Sequence, residues 1–176
     1  MNLQAIERIR SSVRDIPDFP EKGITFKDIT PVLQDSTLYR LIINLFVEQY
    51  RTKKIDIIVG IDARGFLLAG ALSYLLGTGL AIVRKKGKLP FDTIEESYSL
   101  EYGTATLATH TDAIKKDQRV LIIDDVLATG GTAKAACNLV EKLGGKVVEI
   151  AFLVELSFLN GENNLGKIPY YSLLKY

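Results

Sequence analysis

Residues 120–132 read VLIIDDVLATGGT, and the rest of the chain can be placed around them. Val120, Leu121, Ile122 and Ile123 form an apolar run without polar alternation, the pattern of a strand covered on both faces of a parallel sheet. Ala133, Ala136, Cys137, Val140 and Leu143 then recur at helical spacing, which predicts a helix from about Thr132 to Leu143, stopped at Gly144-Gly145. A turn between such a strand and such a helix falls on the carboxyl edge of the sheet, where open α/β folds bind ligands. Gly130 and Gly131 free the backbone N–H groups at the helix start, and a dipole charge of roughly +0.5 backs them, so Ala128–Thr132 makes a cradle for phosphate. The hydroxyls of Thr129 and Thr132 add two donors. Asp124 and Asp125 would repel a phosphate in that cradle; they suit a neighbouring diol, such as a ribose, whose hydroxyls donate to carboxylates. Without the paired acids the turn would read equally as an ordinary strand-turn-helix with a solvated end. Neither G-x-G-x-x-G nor G-x-x-x-x-G-K-[ST] can be written across it.

Residues 55–76, IDIIVGIDARGFLLAGALSYLL, repeat the architecture: an apolar strand, an acid, a tight turn with Gly65, and a helix. Ala63 and Arg64 lie in the turn, where a guanidinium can pair bidentately with phosphate oxygens. Taken alone, Asp62 and Arg64 could instead pair with each other at the surface. Two anion cradles on one sheet edge suit a ligand with phosphate at both ends.

These two motifs carry a family resemblance. IIDDVLATGGT resembles the phosphoribosyl diphosphate signature of the type I phosphoribosyltransferases, a hydrophobic strand, two acids, a short turn and T-G-G-T. The resemblance implies that Asp124 and Asp125 hold ribose hydroxyls and that Ala128, Thr129, Gly130, Gly131 and Thr132 hold the 5′-phosphate. G-I-D-A-R-G-F is similar to the pyrophosphate loop of that family, in which the peptide before the Arg, here Asp62–Ala63, is often cis.

Upstream, Leu3, Ile6, Ile9 and Val13 share one helical face, and Pro17 is expected to end that helix. Residues 17–31, PDFPEKGITFKDITP, are too apolar for a linker and read, on their residues, as an arm closing the hydrophobic edge of a sheet. The same segment resembles the hood of the adenine-accepting branch of the family. That likeness implies that Phe26 stacks on the purine while the backbone from Thr25 to Lys27 reads its amino edge. Lys27 and Lys22 stand where many relatives carry Arg and Pro, so the resemblance speaks for the backbone and not for those two side chains. Ser36 to Arg51 reads as a helix with Ser36 as N-cap.

Downstream, Gly79 to Val83 is a buried strand, followed by the basic run Arg84, Lys85, Lys86 and Lys88. In most proteins such a run is a solvated patch; beside two phosphate sites it points to pyrophosphate capture by Arg84, Lys85 and Lys88. Residues 87–96 read as a long polar loop of the kind that serves as a lid, and 97–109 as a short β-hairpin. S-Y-S-L-E-Y-G resembles an adenine-branch signature, which implies that Glu101 assists the purine and Tyr102 closes over the substrate. On its residues alone, Glu101 is an exposed strand carboxylate. Lys146 to Leu156 is a further strand, residues 161–166 a polar loop, and KIPYYSLLKY an edge strand. His110, the one histidine, and Cys137, the one cysteine, read as structural.

With 176 residues and 47% apolar content the chain can bury one sizeable core. Its 22 basic and 21 acidic residues give no global attraction to nucleic acid or membranes. One cysteine excludes an internal disulfide framework, no His/Cys cluster suggests a metal site, and no run approaches the about 20 apolar residues of a membrane span. The expected fold class is therefore α/β: a doubly wound, mostly parallel sheet, with a small N-terminal hood and a β-hairpin lid. The expectation is one domain over residues 1–176, with helix and hood in 1–34, core in 35–176 and lid loop at about 84–103. With no apolar run resembling a signal peptide or a membrane span, a soluble cytoplasmic protein is expected; the resemblance implies a homodimer that transfers phosphoribose from phosphoribosyl diphosphate to adenine, giving AMP and pyrophosphate, with Mg²⁺ carried mainly by the substrate. Two rivals stay open at this point: an enzyme for 6-oxopurines, and a regulator that senses phosphoribosyl diphosphate.

Overall fold

In the computed structural model, which describes residues 3–19, 22–23, 25–99 and 103–176, the chain sorts into two units, Met1–Gln49 and Tyr50–Tyr176. In the first, helix α1 (Leu3–Arg10) buries Ala5, Ile6 and Ile9. It stops short of Val13 because the hydroxyls of Ser11 and Ser12 both turn back onto the Arg8 carbonyl, at 3.1 and 3.0 Å, and compete with the helical ladder. Pro17 closes not this helix but a strand, β1 (Arg14–Pro17), antiparallel to β2 (Thr25–Asp28). Across this ribbon Lys27 donates to Asp15 at 2.6 Å, and Phe19 meets Phe26 edge-on at 5.4 Å. A short helix, α2 (Thr30–Gln34), takes Pro31 in its first turn, where a missing N–H costs nothing. Helix α3 (Ser36–Tyr50) follows. Its cap is Asp35 and not Ser36: Asp35 Oδ1 accepts from the N–H groups of Thr37 and Leu38 at 2.8 and 3.0 Å.

The second unit holds a seven-stranded sheet. Its strands in chain order are β3 (Ile57–Ile61), β4 (Gly79–Lys85), β5 (Thr93–Ser99), β6 (Thr104–His110), β7 (Arg119–Leu127), β8 (Lys146–Glu155) and β9 (Tyr170–Lys175). In space they run β5-β6-β4-β3-β7-β8-β9. The five from β4 to β9 pair in parallel, and the β5–β6 hairpin adds to β4 antiparallel. Helices α4 (Gly65–Leu76) and α5 (Gly131–Lys142) follow β3 and β7. Val59, Ile61, Val120, Ile122, Ile150 and Phe152 share a core with Ala133, Ala136, Cys137 and Val140 of α5. The alternate residues Ile58, Leu121 and Ile123 are also fully buried, which is why these strands lack polar alternation.

Two segments differ from expectation. Strand β5 begins at Thr93, so the polar loop is shorter than 87–96. Its inward residues are Ile94, Glu96 and Tyr98, and Glu96 disguises the alternation. That carboxylate is satisfied by α5: Asn138 donates to Glu96 Oε1 at 2.6 Å and Lys142 to Oε2 at 2.5 Å, with a second bond from Lys142 to the Glu95 carbonyl at 3.0 Å. Residues 161–166 are not plain loop: after a 3₁₀ turn (Ser157–Leu159) comes a single helical turn, α6 (Glu162–Leu165), anchored by buried Leu165. Among the described residues no helix is long and apolar enough to cross a membrane.

Candidate active site

Parallel pairing brings the ends of β3 and β7 together, with Gly60 opposite Ile123. From β3 the chain passes to β4 on one side, while β7 lies on the other, so the two following loops open a crevice at the point where the winding reverses. A Cβ on Gly65 would lie 2.8 Å from the Ile123 carbonyl oxygen and 3.0 Å from Asp124 Oδ1. Glycine therefore lets α4 begin against the acidic end of β7. The two loops line one open cleft of about 310 Å³, formed by Asp62, Ala63, Arg64, Asp124, Asp125 and Thr132. The Asp62–Ala63 peptide is cis.

The charges in this cleft pair across the loops. Arg64 Nε is bonded to Asp125 Oδ2, and Arg84 Nε donates to Asp62 Oδ2 at 2.9 Å. Asp62 and Arg64, neighbours in the turn, thus each take a partner from another strand. Arg84 also donates through a terminal nitrogen to the Lys88 carbonyl at 2.9 Å. Asp124 is buried and its Oδ1 accepts the Asp125 N–H at 2.8 Å. Burial, and next the charge of Asp125, hold the Asp124 carboxyl well above the usual carboxylate range.

Ala128, Thr129, Gly130 and Thr132 line a niche of about 70 Å³ that also touches Asp124. Helix α5 starts at Gly131, one residue before the expected Thr132, with Gly130 at φ +82° as its N-cap. The Thr132 hydroxyl donates to the Tyr98 hydroxyl at 3.0 Å, so strand β5 of the hairpin reaches the loop after β7. Lys85 and Lys88 are exposed and neither side chain lines the cleft. Thr25, Phe26 and Lys27 lie on β2 of the first unit. Glu101 and Tyr102 lie outside the described residues.

Cys137 is fully buried and burial pushes its thiol up to about 12, which suits packing and not nucleophilic attack. His110 Nε2–H donates to the Pro90 carbonyl at 2.7 Å and its ring meets Phe91 edge-on, a structural role at the hairpin base. Two contacts were not foreseen from the sequence. In sequence Tyr98 reads only as part of a hairpin, and the Asn160-Gly161 pair, an ordinary turn signal, gives no hint that Asn164 donates to the Thr129 carbonyl at 2.6 Å.

Comparison with known proteins fits this arrangement. Residues 29–165 match the phosphoribosyl transferase domain. The adenine phosphoribosyltransferase of Anaeromyxobacter sp. (strain Fw109-5) is 54% identical over 172 residues, covering 98% of this chain and 97% of its own. The crystal structure of adenine phosphoribosyltransferase from Rhodothermus marinus superposes with a TM-score of 0.94 at 50% identity, covering 99% of this chain and 100% of that one. That of the Saccharomyces cerevisiae enzyme, complexed with an imino-altritol bisphosphate and adenine, does so with 0.93 at 37% identity, over 98% and 99%. The paired acids and the Arg-bearing turn line one cleft, the niche at Ala128–Thr132 adjoins it through Asp124 and Thr132, and relatives match along nearly the whole length: this chain belongs to the phosphoribosyl transferase family, alongside its adenine phosphoribosyltransferases.

Proposed function

We propose that this protein is a purine-salvage enzyme that transfers phosphoribose from phosphoribosyl diphosphate to adenine, forming AMP and pyrophosphate. The observation that carries the reading is the shared cleft, in which the two strand-end loops stand side by side. A ligand with phosphate at both ends and a diol between them matches its order of groups: the niche at Ala128–Thr132 for the 5′-phosphate, Asp124 and Asp125 for the ribose hydroxyls, and Ala63 with Arg64 for the pyrophosphate. Arg84, Lys85 and Lys88 supply further positive charge on the pyrophosphate side. The yeast relative crystallised with a bisphosphate and adenine together supports the same assignment.

In the reaction N9 of adenine bonds to C1 of the ribose, the C1–O bond to pyrophosphate breaks, and the electron pair leaves with the pyrophosphate. The N9 proton passes to a base, the role assigned to Glu101, with Tyr102 closing over the substrate. Thr25, Phe26 and Lys27 recognise the purine: Phe26 by stacking, the backbone by hydrogen bonds. Because Lys27 is held by Asp15, its side chain serves the β1–β2 ribbon. The Arg64–Asp125 and Arg84–Asp62 pairs brace the two loops of the cleft. When pyrophosphate engages Arg64, Asp125 is released to accept from a ribose hydroxyl.

The side-chain donors facing the cleft include three carboxylates, Asp62, Asp124 and Asp125, which suits a hard cation such as Mg²⁺. Mg²⁺ keeps several waters and favours substrate oxygens, so it would ride mainly on the pyrophosphate of the substrate. When bound, Mg²⁺ neutralises the leaving pyrophosphate. The reading includes one catalytic domain over residues 1–176, a cytoplasmic location and a homodimer. The apolar outer face of α4, with Tyr74 and Leu75 at 85% and 52% exposure, supports a second copy. The reverse reaction tests the class of chemistry: AMP, pyrophosphate and Mg²⁺ should release free adenine, and AMP left intact would reject phosphoribosyl transfer.

A further inference from the structure

We propose that Gly161 and Asn164 are positioning residues for the phosphate loop, setting from a turn 35 residues further along the chain how well that loop binds a phosphate. The inference rests on the reading of residues 128–132 as the 5′-phosphate cradle.

The outer side of that loop is in contact with the turn before α6. A Cβ on Gly161 would lie 2.0 Å from the Ala128 carbonyl oxygen and 3.1 Å from the Gly130 nitrogen. A Cβ on Gly130 would lie 2.2 Å from the Gly161 carbonyl oxygen. The φ of Gly161 is −61°, which any residue adopts, so its glycine answers to closeness and not to dihedral freedom. Two backbones touch here with no room for a side chain on either.

Asn164 adds a directional contact. Its Nδ2 donates to the Thr129 carbonyl at 2.6 Å, and its own N–H is fixed to the Gly161 carbonyl at 3.2 Å. A trans peptide is planar, with C=O and N–H pointing in opposite directions. Holding the Thr129 carbonyl toward Asn164 therefore aims the Gly130 N–H the other way, and the Ala128 carbonyl facing Gly161 does the same for the Thr129 N–H. The turn fixes the direction of two cradle donors without touching the ligand. Preorganised donors bind an anion without the cost of orienting them afterwards.

The test is calorimetric binding of AMP, adenine and pyrophosphate to wild type, Asn164→Asp, Gly161→Ala and Thr132→Val, with a thermal melt of each. Asn164→Asp keeps the shape but places an acceptor against the Thr129 carbonyl. It should weaken AMP about ten-fold, near the worth of one lost hydrogen bond plus a repulsive contact, and leave adenine and pyrophosphate unchanged. Gly161→Ala should weaken AMP further; if it does not fold, Asn164→Asp decides. A lower melting temperature with equal loss for all three ligands, or unchanged AMP affinity in folded Asn164→Asp, overturns the proposal. The Thr132→Val arm separates the two ideas. If it weakens AMP while Asn164→Asp does not, the cradle stands and the positioning role falls. If it leaves AMP affinity untouched, the cradle assignment fails and the inference falls with it.

Discussion

Arg64, in the turn after β3, holds the carboxylate of Asp125 at the end of β7. The cation assigned to pyrophosphate and the acceptor assigned to ribose thus satisfy each other. Removing one partner leaves the other charge uncompensated, which costs more than the pair contributes. Arg64→Gln should therefore weaken pyrophosphate binding about ten- to a hundred-fold, the range of one or two charge-assisted hydrogen bonds, and also lower the melting temperature. Adding Asp125→Asn should recover the melting temperature and not the pyrophosphate affinity. Calorimetry and thermal melts on the single and double variants check both; affinity recovered with stability would assign Arg64 to the fold alone.

Asp124 is buried beside a second carboxylate, and its pKa is raised by burial first and then by Asp125. A raised folded-state pKa means that the folded protein binds this proton more tightly than the unfolded chain. Stability contributed by the site is thus present below the usual carboxylate range and is lost as pH rises through the folded value. Asp124→Asn mimics the protonated form and keeps an acceptor for the Asp125 N–H. It should raise the melting temperature by a few degrees at neutral pH, flatten the pH dependence of stability, and cut turnover, since the ribose hydroxyl assigned to this side chain would lose its anionic acceptor. A melting temperature that falls would mean that the carboxylate is stabilised in place.

What could be read from the sequence follows from where burial is two-sided. The strands at 57–61 and 120–123, and the helices after them, were legible because an unbroken apolar run and a helical stripe have no other good reading. The loops between them were legible because glycine and paired acids at a strand end are costly without a ligand. β5 was harder to read: Glu96 occupies an inward position, and only Asn138 and Lys142, 42 and 46 residues away, make that acceptable. Asn160-Gly161-Glu162 reads as an ordinary turn because closeness between two backbones leaves no mark in composition. The end of α1 falls three residues before Val13 and the cap of α3 one residue before Ser36, because serine and aspartate side chains compete with the backbone for the same hydrogen bonds.

The phenol of Tyr98 accepts from the hydroxyl of Thr132 at 3.0 Å, a group assigned to the 5′-phosphate. Tyr98→Phe removes the competitor while keeping the ring. AMP should bind about three-fold more tightly, a fraction of one hydrogen bond. Weaker AMP binding would instead make the phenol itself a phosphate ligand.

The anchor of β5 on α5 should depend on pH. The bond from Lys142, and next the one from Asn138, hold the Glu96 carboxyl below the usual carboxylate range. With a depressed pKa, the stabilisation is present above the ordinary carboxylate value and is lost as pH falls through the folded one. Hydrogen exchange of the β5 amides should quicken in acid relative to the β7 amides. Lys142→Met should show the faster exchange already at neutral pH; unchanged β5 exchange would mean that the strand is held by its pairing with β6 alone.

The most direct measurement of the central claim is nucleotide formation from phosphoribosyl diphosphate and Mg²⁺ with adenine, hypoxanthine or guanine offered side by side. A site that reads adenine's amino edge leaves a polar group unpaired when a 6-oxopurine enters, a large penalty. AMP formed from adenine, with little or no product from the other two, is the predicted result. Product from a 6-oxopurine would keep the cleft and its two loops but reject the purine assignment of Phe26 and its neighbours, and no product from any base despite tight binding of phosphoribosyl diphosphate would contradict catalysis itself.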